Sequence, residues 1–198
     1  MKTIAITGGI GSGKSTLRGW FQTQNIPTLD ADQIARELVE PGAPGLAAIL
    51  DCFGPDFVLA DETLDRAKLR SRIFRDDKAK RQLEALLHPL IRQRTALELT
   101  KFAKRGETLA VVEIPLLTET GKPDYIDEVV LADCPPSIQI ERTQNRSGLT
   151  FEEIADIMAT QASRRQRLAI ADHIIDTHRP LASVYEQLQL LLSTLQKG

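Results

Sequence analysis

The chain has 198 residues, 42% of them hydrophobic, and 25 Lys and Arg against 27 Asp and Glu give a net charge of −2. That length suits one domain, or a core with a sizeable insertion, and the apolar content suffices for packing. The charge balance gives no global electrostatic case for nucleic acid or membrane; Cys52 and Cys134 form no metal or redox motif, and no apolar run approaches the ~18 residues of a membrane span.

Lys2 to Thr7 (KTIAIT) is a short β-branched apolar run and reads as a strand. The turn after it, Gly8 to Thr16, fits G-x-x-x-x-G-K-[ST], the phosphate-binding P-loop. Glycines let the backbone approach a ligand without Cβ clashes. A curled loop ahead of a helix aims several N–H groups at one anion. Lys14 can reach β- and γ-phosphates, and the Ser15 hydroxyl can ligate Mg²⁺. The bland alternative, a Gly-rich turn with a chance lysine, does not explain why motif, preceding strand and position agree. Leu17 to Gln24 continues as a helix.

Ile26 to Leu29 reads as a second strand, with Asp30 and Asp32 just beyond it. Ligands of open α/β sheets bind outside the carboxyl ends of the strands. The two carboxylates therefore belong on the rim of the P-loop site. One can hold metal-bound water and one can take a proton from an attacking hydroxyl. One can also serve only as N-cap of a helix starting near Gln33.

Pro41 to Gly45 is loop-like, and helical patterns follow to about Arg105. Leu83, Leu86, Leu87, Leu90, Ile91 and Leu97 fall at helical spacing and are expected in a core. Pro89 is expected to start or kink a helix. His88 alone would more often be structural than catalytic.

Thr108 to Ile114 and Glu128 to Ala132 read as buried strands, and His173 to Asp176 as a weaker one. Glu113, near the end of the third strand, can act as a Walker-B-like acid. Between the last two strands, Ser137 to Gly148 carries Arg142 and Arg146 on one helical face. Thr150 and Glu153 form a capping-box pattern. Arg164, Arg165 and Arg167 suit a phosphate-covering lid, a solvated basic face or a nucleic-acid patch. Pro180 to Gln196 reads as a closing helix with proline near its first turn. Strands alternating with helices give an α/β chain with a central parallel sheet.

Seven segments together resemble the dephospho-coenzyme A kinase family: TGGIGSGKST at Thr7–Thr16, LDAD with Ile34-Ala35-Arg36, VEPGAP at Val39–Pro44, LLHPLI at Leu86–Ile91, IPLL at Ile114–Leu117, ERTQNR at Glu141–Arg146 and ADHIID at Ala171–Asp176. The resemblance covers nearly the whole chain. It implies a three-layer P-loop NTPase-like fold with a central parallel sheet, a helical substrate-side insertion and a lid. On that map the core takes about 1–32, 106–134 and 170–198, the insertion about 33–105 and the lid about 135–169. The implied reaction is ATP-dependent phosphorylation of the ribose 3′-hydroxyl of dephospho-CoA, giving CoA and ADP, the last step of coenzyme A biosynthesis.

The implied catalytic residues are Asp32 as general base, Lys14 and Arg142. Gly11, Ser12, Gly13, Lys14, Ser15, Thr16 and Arg146 would bind ATP, Ser15 would hold Mg²⁺, and His88 and Pro89 fall in the substrate-side motif. The family usually has an aromatic or aliphatic residue where Thr118 stands before Glu119, and Asn where Thr177 follows Asp176. Neither departure touches the phosphate loop or Asp32. The expected partner is a small molecule, dephospho-CoA, with no nucleic acid and no membrane. MKTIAITGG has no apolar leader core or cleavage signal, so a cytoplasmic setting is expected.

Two other readings stand beside this one. A different small-molecule or nucleotide P-loop kinase would share the core, because the insertion sets the acceptor. A GTPase-type switch would need Asp51-Cys52-Phe53-Gly54 as D-x-x-G and Gly121-Lys122-Pro123-Asp124 as N-K-x-D. The first follows a helical stretch and the second lacks the base-reading Asn.

Overall fold

A computed structural model describes residues 1–196, which fall into two compact units, residues 1–30 with 101–196, and residues 31–100. The first unit is built on β1 (Lys2–Thr7), and the phosphate loop leads from it into α1 (Lys14–Thr23) and then β2 (Thr28–Asp30). The second unit holds α2 (Ala31–Glu37), α3 (Pro44–Phe53), a 3₁₀ turn (Pro55–Phe57), α4 (Arg66–Arg75) and most of α5 (Asp77–Lys104). The chain then returns to the first unit. There it forms β3 (Leu109–Glu113), α6 (Leu117–Thr120), β4 (Glu128–Asp133), α7 (Pro136–Ser147), α8 (Phe151–Thr160), α9 (Arg164–Ala169), β5 (His173–Asp176) and α10 (Leu181–Leu195).

The five strands form one parallel sheet in the order β2-β3-β1-β4-β5. β1 is central, and Thr3 to Thr7 are buried on both faces, as expected where a parallel sheet is covered on both sides. Chain order reverses direction about β1, and this switch point opens the crevice at the strand C-ends where the loop sits. Ile4 and Ile6 face a core that takes Leu17, Trp20 and Phe21 from α1 and Val184, Leu188 and Leu192 from α10. Those positions recur at helical spacing, so each helix presents one apolar stripe. Trp20 and Phe21 meet edge to face with centroids 5.1 Å apart.

β2 begins two residues later than the apolar pattern predicts. The Ile26 N–H bonds to the Phe21 carbonyl and completes the turn after α1, so ladder pairing starts only at the Pro27 carbonyl, which accepts from Val111. The other strands lie within a residue of expectation.

The second unit has its own core of Val39, Leu46, Ile49, Phe57, Leu64 and Leu69, with Leu83 and Leu87 of α5 packed against it. Local chemistry starts each helix. Pro44 opens α3, Asp65 accepts from the Lys68 amide at 2.9 Å to cap α4, and Asp76 accepts from Lys78 and Ala79 at the start of α5. In α5 the helix-start alternative for Pro89 and the core placement of Leu97 are corrected. The helix runs through Pro89, which neither starts nor ends it; Pro89 and Ala85 are both exposed, so the carbonyl deprived of its N–H partner can reach water. Leu97 is not core either. It is half exposed and lines an apolar cavity with Leu90.

Candidate active site

The phosphate loop is shaped from below. Gly11 has φ +69 and Gly13, the N-cap of α1, has φ +91, so both need the freedom of glycine. A Cβ on Gly11 would run into the Gln139 carbonyl and would lie 2.6 Å from Thr143 Oγ1. The loop is therefore bedded on α7. No side chain caps α1, which leaves its first amides for an anion. Lys14 Nζ donates to the Gly8 and Gly9 carbonyls, each at 2.9 Å, and so is folded along the loop it serves.

Four strands end on a carboxylate: Asp30, Glu113, Asp133 and Asp176. Register puts Asp30 beside Glu113 and Asp133 beside Asp176. Such a crest would repel a polyphosphate, and arginines offset it. Arg18 donates to Glu113 at 2.7 Å and lies 3.1 Å from Asp30. Arg164 grips Asp133 at 2.7 Å, and Arg179 bonds Asp176 at 3.1 Å. Burial pushes the Glu113 carboxyl above its ordinary value, and the Arg18 charge and hydrogen bond oppose that shift.

A cavity of about 240 Å³ joins Gly11, Ser12, Gly13, Lys14 and Ser15 to Arg142, Arg146, Arg18, Asp30 and Glu113. Thr16 lines the neighbouring cavity of about 210 Å³, with Arg142, Thr177 and Arg179. Arg142 is pinned there: its Nη2 donates to the Thr177 carbonyl at 2.7 Å. The buried Thr177 hydroxyl in turn donates to the Ser12 carbonyl at 2.7 Å. The residue at which this chain departs from the usual Asn thus ties β5, the loop and Arg142 together.

Two arginines of the run after α8 are engaged within the first unit. Arg164 is spent on Asp133, and Arg167 is buried, donating to the Ala162 carbonyl and backing the loop at Gly9. Burial also pulls its guanidinium below the usual value. Arg165, like Arg164, is exposed. The same segment holds the loop through Gln161, whose Oε1 accepts from the Ile10 amide at 3.0 Å, while Glu119 accepts from the Ala162 amide at 2.7 Å.

Asp32, His88 and Pro89 belong to the second unit. Asp32 lies in the first turn of α2, inside the helix rather than at its cap. His88 is partly buried on α5 and Pro89 is exposed. Asp51 sits in the last turn of α3, not at a strand end, which removes the D-x-x-G reading of a GTPase switch. Sequence reasoning missed Arg18, although it follows Lys14 by four positions and so shares its helix face. It also missed Gln161 and Arg179, which carry no motif of their own.

The dephospho-CoA kinase family profile matches residues 2–182. The chain belongs to the dephospho-CoA kinase family. It is similar to a dephospho-CoA kinase of Hydrogenovibrio crunogenus, at 52% identity over 99% of both chains. Among solved structures it is similar to a Thermus thermophilus protein, with a TM-score of 0.84 and 29% identity over 98% of this chain and 97% of that one. It is also similar to the dephospho-CoA kinase of Campylobacter jejuni, with a TM-score of 0.75 and 26% identity over 100% and 99%. The fold is that of the P-loop kinases, as the family resemblance implied. No helix among the described residues is long and apolar enough to cross a membrane.

Proposed function

We propose that the protein transfers the γ-phosphoryl group of ATP to the ribose 3′-hydroxyl of dephospho-CoA, giving CoA and ADP in the last step of coenzyme A biosynthesis, in the cytoplasm. The observation that carries this reading is the cationic cavity in which the phosphate loop meets Lys14, Arg142 and Arg146, in a chain of this family. The loop amides and Lys14 hold the β- and γ-phosphates. Arg142 and Arg146, on the lid helix α7, balance charge spreading onto the transferred group. Closure of a lid over about residues 135–169 keeps water from competing as acceptor.

Ser15, Asp30 and Glu113 line the same cavity, a hydroxyl and two carboxylates of the oxygen chemistry that suits Mg²⁺. When bound, Mg²⁺ would neutralise phosphate charge and fix the reactive geometry. Ser15 is its direct ligand in this reading, with a carboxylate acting through water.

Asp32 takes the proton of the attacking hydroxyl. It follows Asp30 by two residues, a span of at most about 7 Å of chain, and Asp30 lines the phosphate cavity. His88 and Pro89 contribute to the acceptor side from α5. No nucleic-acid or membrane partner is part of this proposal.

The test is ADP release with and without dephospho-CoA, run on wild type, Asp32→Asn and Asp30→Asn. Dephospho-CoA should stimulate wild type strongly, while other small-molecule acceptors do not. Asp32→Asn keeps the shape but accepts no proton, so kcat should fall by roughly 10²-fold or more with ATP affinity kept. Asp30→Asn loosens the Arg18 pair, so stability or Mg²⁺ dependence should change first. Normal turnover by Asp32→Asn would pass the base role to Asp30 or Glu113.

A further inference from the structure

The amide of Ile10, in the middle of the phosphate loop, is answered by a side chain 151 positions away: Gln161 Oε1 accepts from it at 3.0 Å. Gln161 ends α8 with extended backbone. The connection from there to α9 is held more firmly than two short helices need. Ser163 caps α9 with a box completed by Gln166, so the helix start is satisfied locally. Both backbone groups of Ala162 are taken as well. Glu119 Oε1 accepts from its amide at 2.7 Å, and Arg167 donates to its carbonyl. A residue clasped on both sides fixes where its neighbour Gln161 can point. A glutamine serving only its own helix end would bond the backbone of α8 or α9, whereas this one bonds the loop.

The bond acts through one peptide group. The Gly9–Ile10 unit is trans and planar, so its N–H and its C=O point opposite ways. With the N–H held from outside by Gln161, the Gly9 carbonyl points into the loop. There it accepts from Lys14 Nζ at 2.9 Å and from the Ser12 amide at 3.2 Å. The unit has no room to shift as a body. A Cβ on Gly9 would stand 2.5 Å from Gln139 Oε1 and 3.1 Å from Arg167 Nη2, and both of those residues are buried. What remains is rotation of the peptide plane in place, and the Gln161 bond opposes it. A flip would turn the Gly9 carbonyl away from Lys14 and remove one of the two carbonyls that seat its ammonium.

We propose that Gln161 is a positioning residue for phosphoryl transfer: it locks the Gly9–Ile10 peptide and, through the Gly9 carbonyl, sets the place from which Lys14 meets the phosphates. This deepens the kinase reading above and rests on it. Gln161 does not line the phosphate cavity and acts through Lys14, which does. The position needs a hydrogen-bond acceptor, and a neutral amide supplies one without setting a negative charge behind a polyphosphate site.

The experiment is a double-mutant cycle between Gln161→Met and Lys14→Ala. It is read by calorimetric titration of ATP and by the kinetics of dephospho-CoA-dependent ADP release. Methionine keeps the length of the side chain and removes the acceptor. Gln161→Met should weaken ATP binding roughly fivefold and lower kcat roughly tenfold, with the KM for dephospho-CoA unchanged. In the Lys14→Ala background the same change should weaken ATP binding by less than about twofold, because the ammonium it positions is gone. Gln161→Glu keeps an acceptor at the same reach and should recover most of the lost affinity. Gln161→Asn is one methylene shorter and should behave like Gln161→Met; it takes that variant's place in the cycle if Gln161→Met does not fold. Equal losses of ATP affinity in both backgrounds, with a lowered Tm, would make Gln161 a structural clasp and overturn the proposal. Wild-type affinity and kcat in Gln161→Met would also overturn it and leave the kinase reading standing. Wild type that binds ATP without turning over dephospho-CoA would sink the kinase reading, and the ATP-binding arms of the cycle would still decide whether Gln161 acts through Lys14.

Discussion

Arg142 shows how a single side chain can be prepared for charge that develops only during reaction. Its guanidinium is held by the Thr177 carbonyl, and Thr177 is held by the Ser12 carbonyl of the loop, so its place is fixed before any phosphate arrives. Arg165, exposed on α9, does not line the cavity. Arg142→Ala should therefore lower kcat by roughly 10²-fold and weaken ATP retention, whereas Arg165→Ala should change either by less than about threefold. Steady-state kinetics on the two variants checks this; equal small effects would place the lid elsewhere. Spacing alone puts Arg142 and Arg146 on one face, and both reach the cavity. Spacing alone could not sort Arg164 and Arg167 from Arg165, because their partners, Asp133 and the Ala162 carbonyl, depend on how α9 returns to the sheet.

The strands divide their labour by end. Their C-termini carry the carboxylates of the site, and their N-termini are tied by a separate cluster. Lys2 of β1 lies 2.5 Å from Glu128 at the start of β4, and His173 at the start of β5 lies 2.6 Å from the other oxygen of Glu128. The Asp127 and Asp172 side chains accept from the Thr3 and Val129 amides at the same edge. The Lys2 hydrogen bond first, and the His173 bond second, hold the Glu128 carboxyl below its ordinary value. A carboxylate lowered in the folded state contributes stability above its unfolded pKa of about 4.3, and that contribution is lost as pH falls through the folded value. Glu128→Gln should thus lower Tm at neutral pH by a few degrees, the scale of a partly exposed pair in a chain of this length. Once pH falls below the folded pKa of Glu128 the two melting curves should converge, since both side chains are then neutral. A gap that stays constant down to that pH would mean that packing, not charge, explains the variant. This cluster had no signature in the sequence. The strands themselves were legible because buried parallel strands are unbroken apolar runs, and β2 alone shifted, where the turn after α1 took up Ile26. α5 was harder to read: a proline in an exposed turn interrupts the pattern without interrupting the helix.

At the scale of the whole molecule, each proposed substrate has its groups in one unit. The loop, Lys14, Arg142 and Arg146 belong to the first unit, and Asp32, His88 and Pro89, proposed for the acceptor, belong to the second. The first half of that assignment was legible, since the phosphate loop is a local motif whose residues lie within one turn of chain. The second was less so, because its residues lie on helices far apart in sequence, Asp32 on α2 and His88 with Pro89 on α5. The division has a measurable consequence. A ligand that binds only the folded form stabilises what it binds, by about 2.7 kcal/mol when present at 100 times its Kd. That energy slows amide exchange by roughly 100-fold wherever opening must first release the ligand. Saturating ADP should protect the loop, α1 and α7, with little change in the middle of α5. Dephospho-CoA alone should protect α2 and the middle of α5 and leave α1 nearly as exposed to exchange as before. Peptide-resolved hydrogen–deuterium exchange with each ligand separately reads both patterns in one protein. Protection of the middle of α5 by ADP, with none in α1, would contradict the assignment of nucleotide to the first unit. Protection by dephospho-CoA confined to α1 and α7 would put the acceptor on the phosphate loop and leave Asp32, His88 and Pro89 without a substrate to meet.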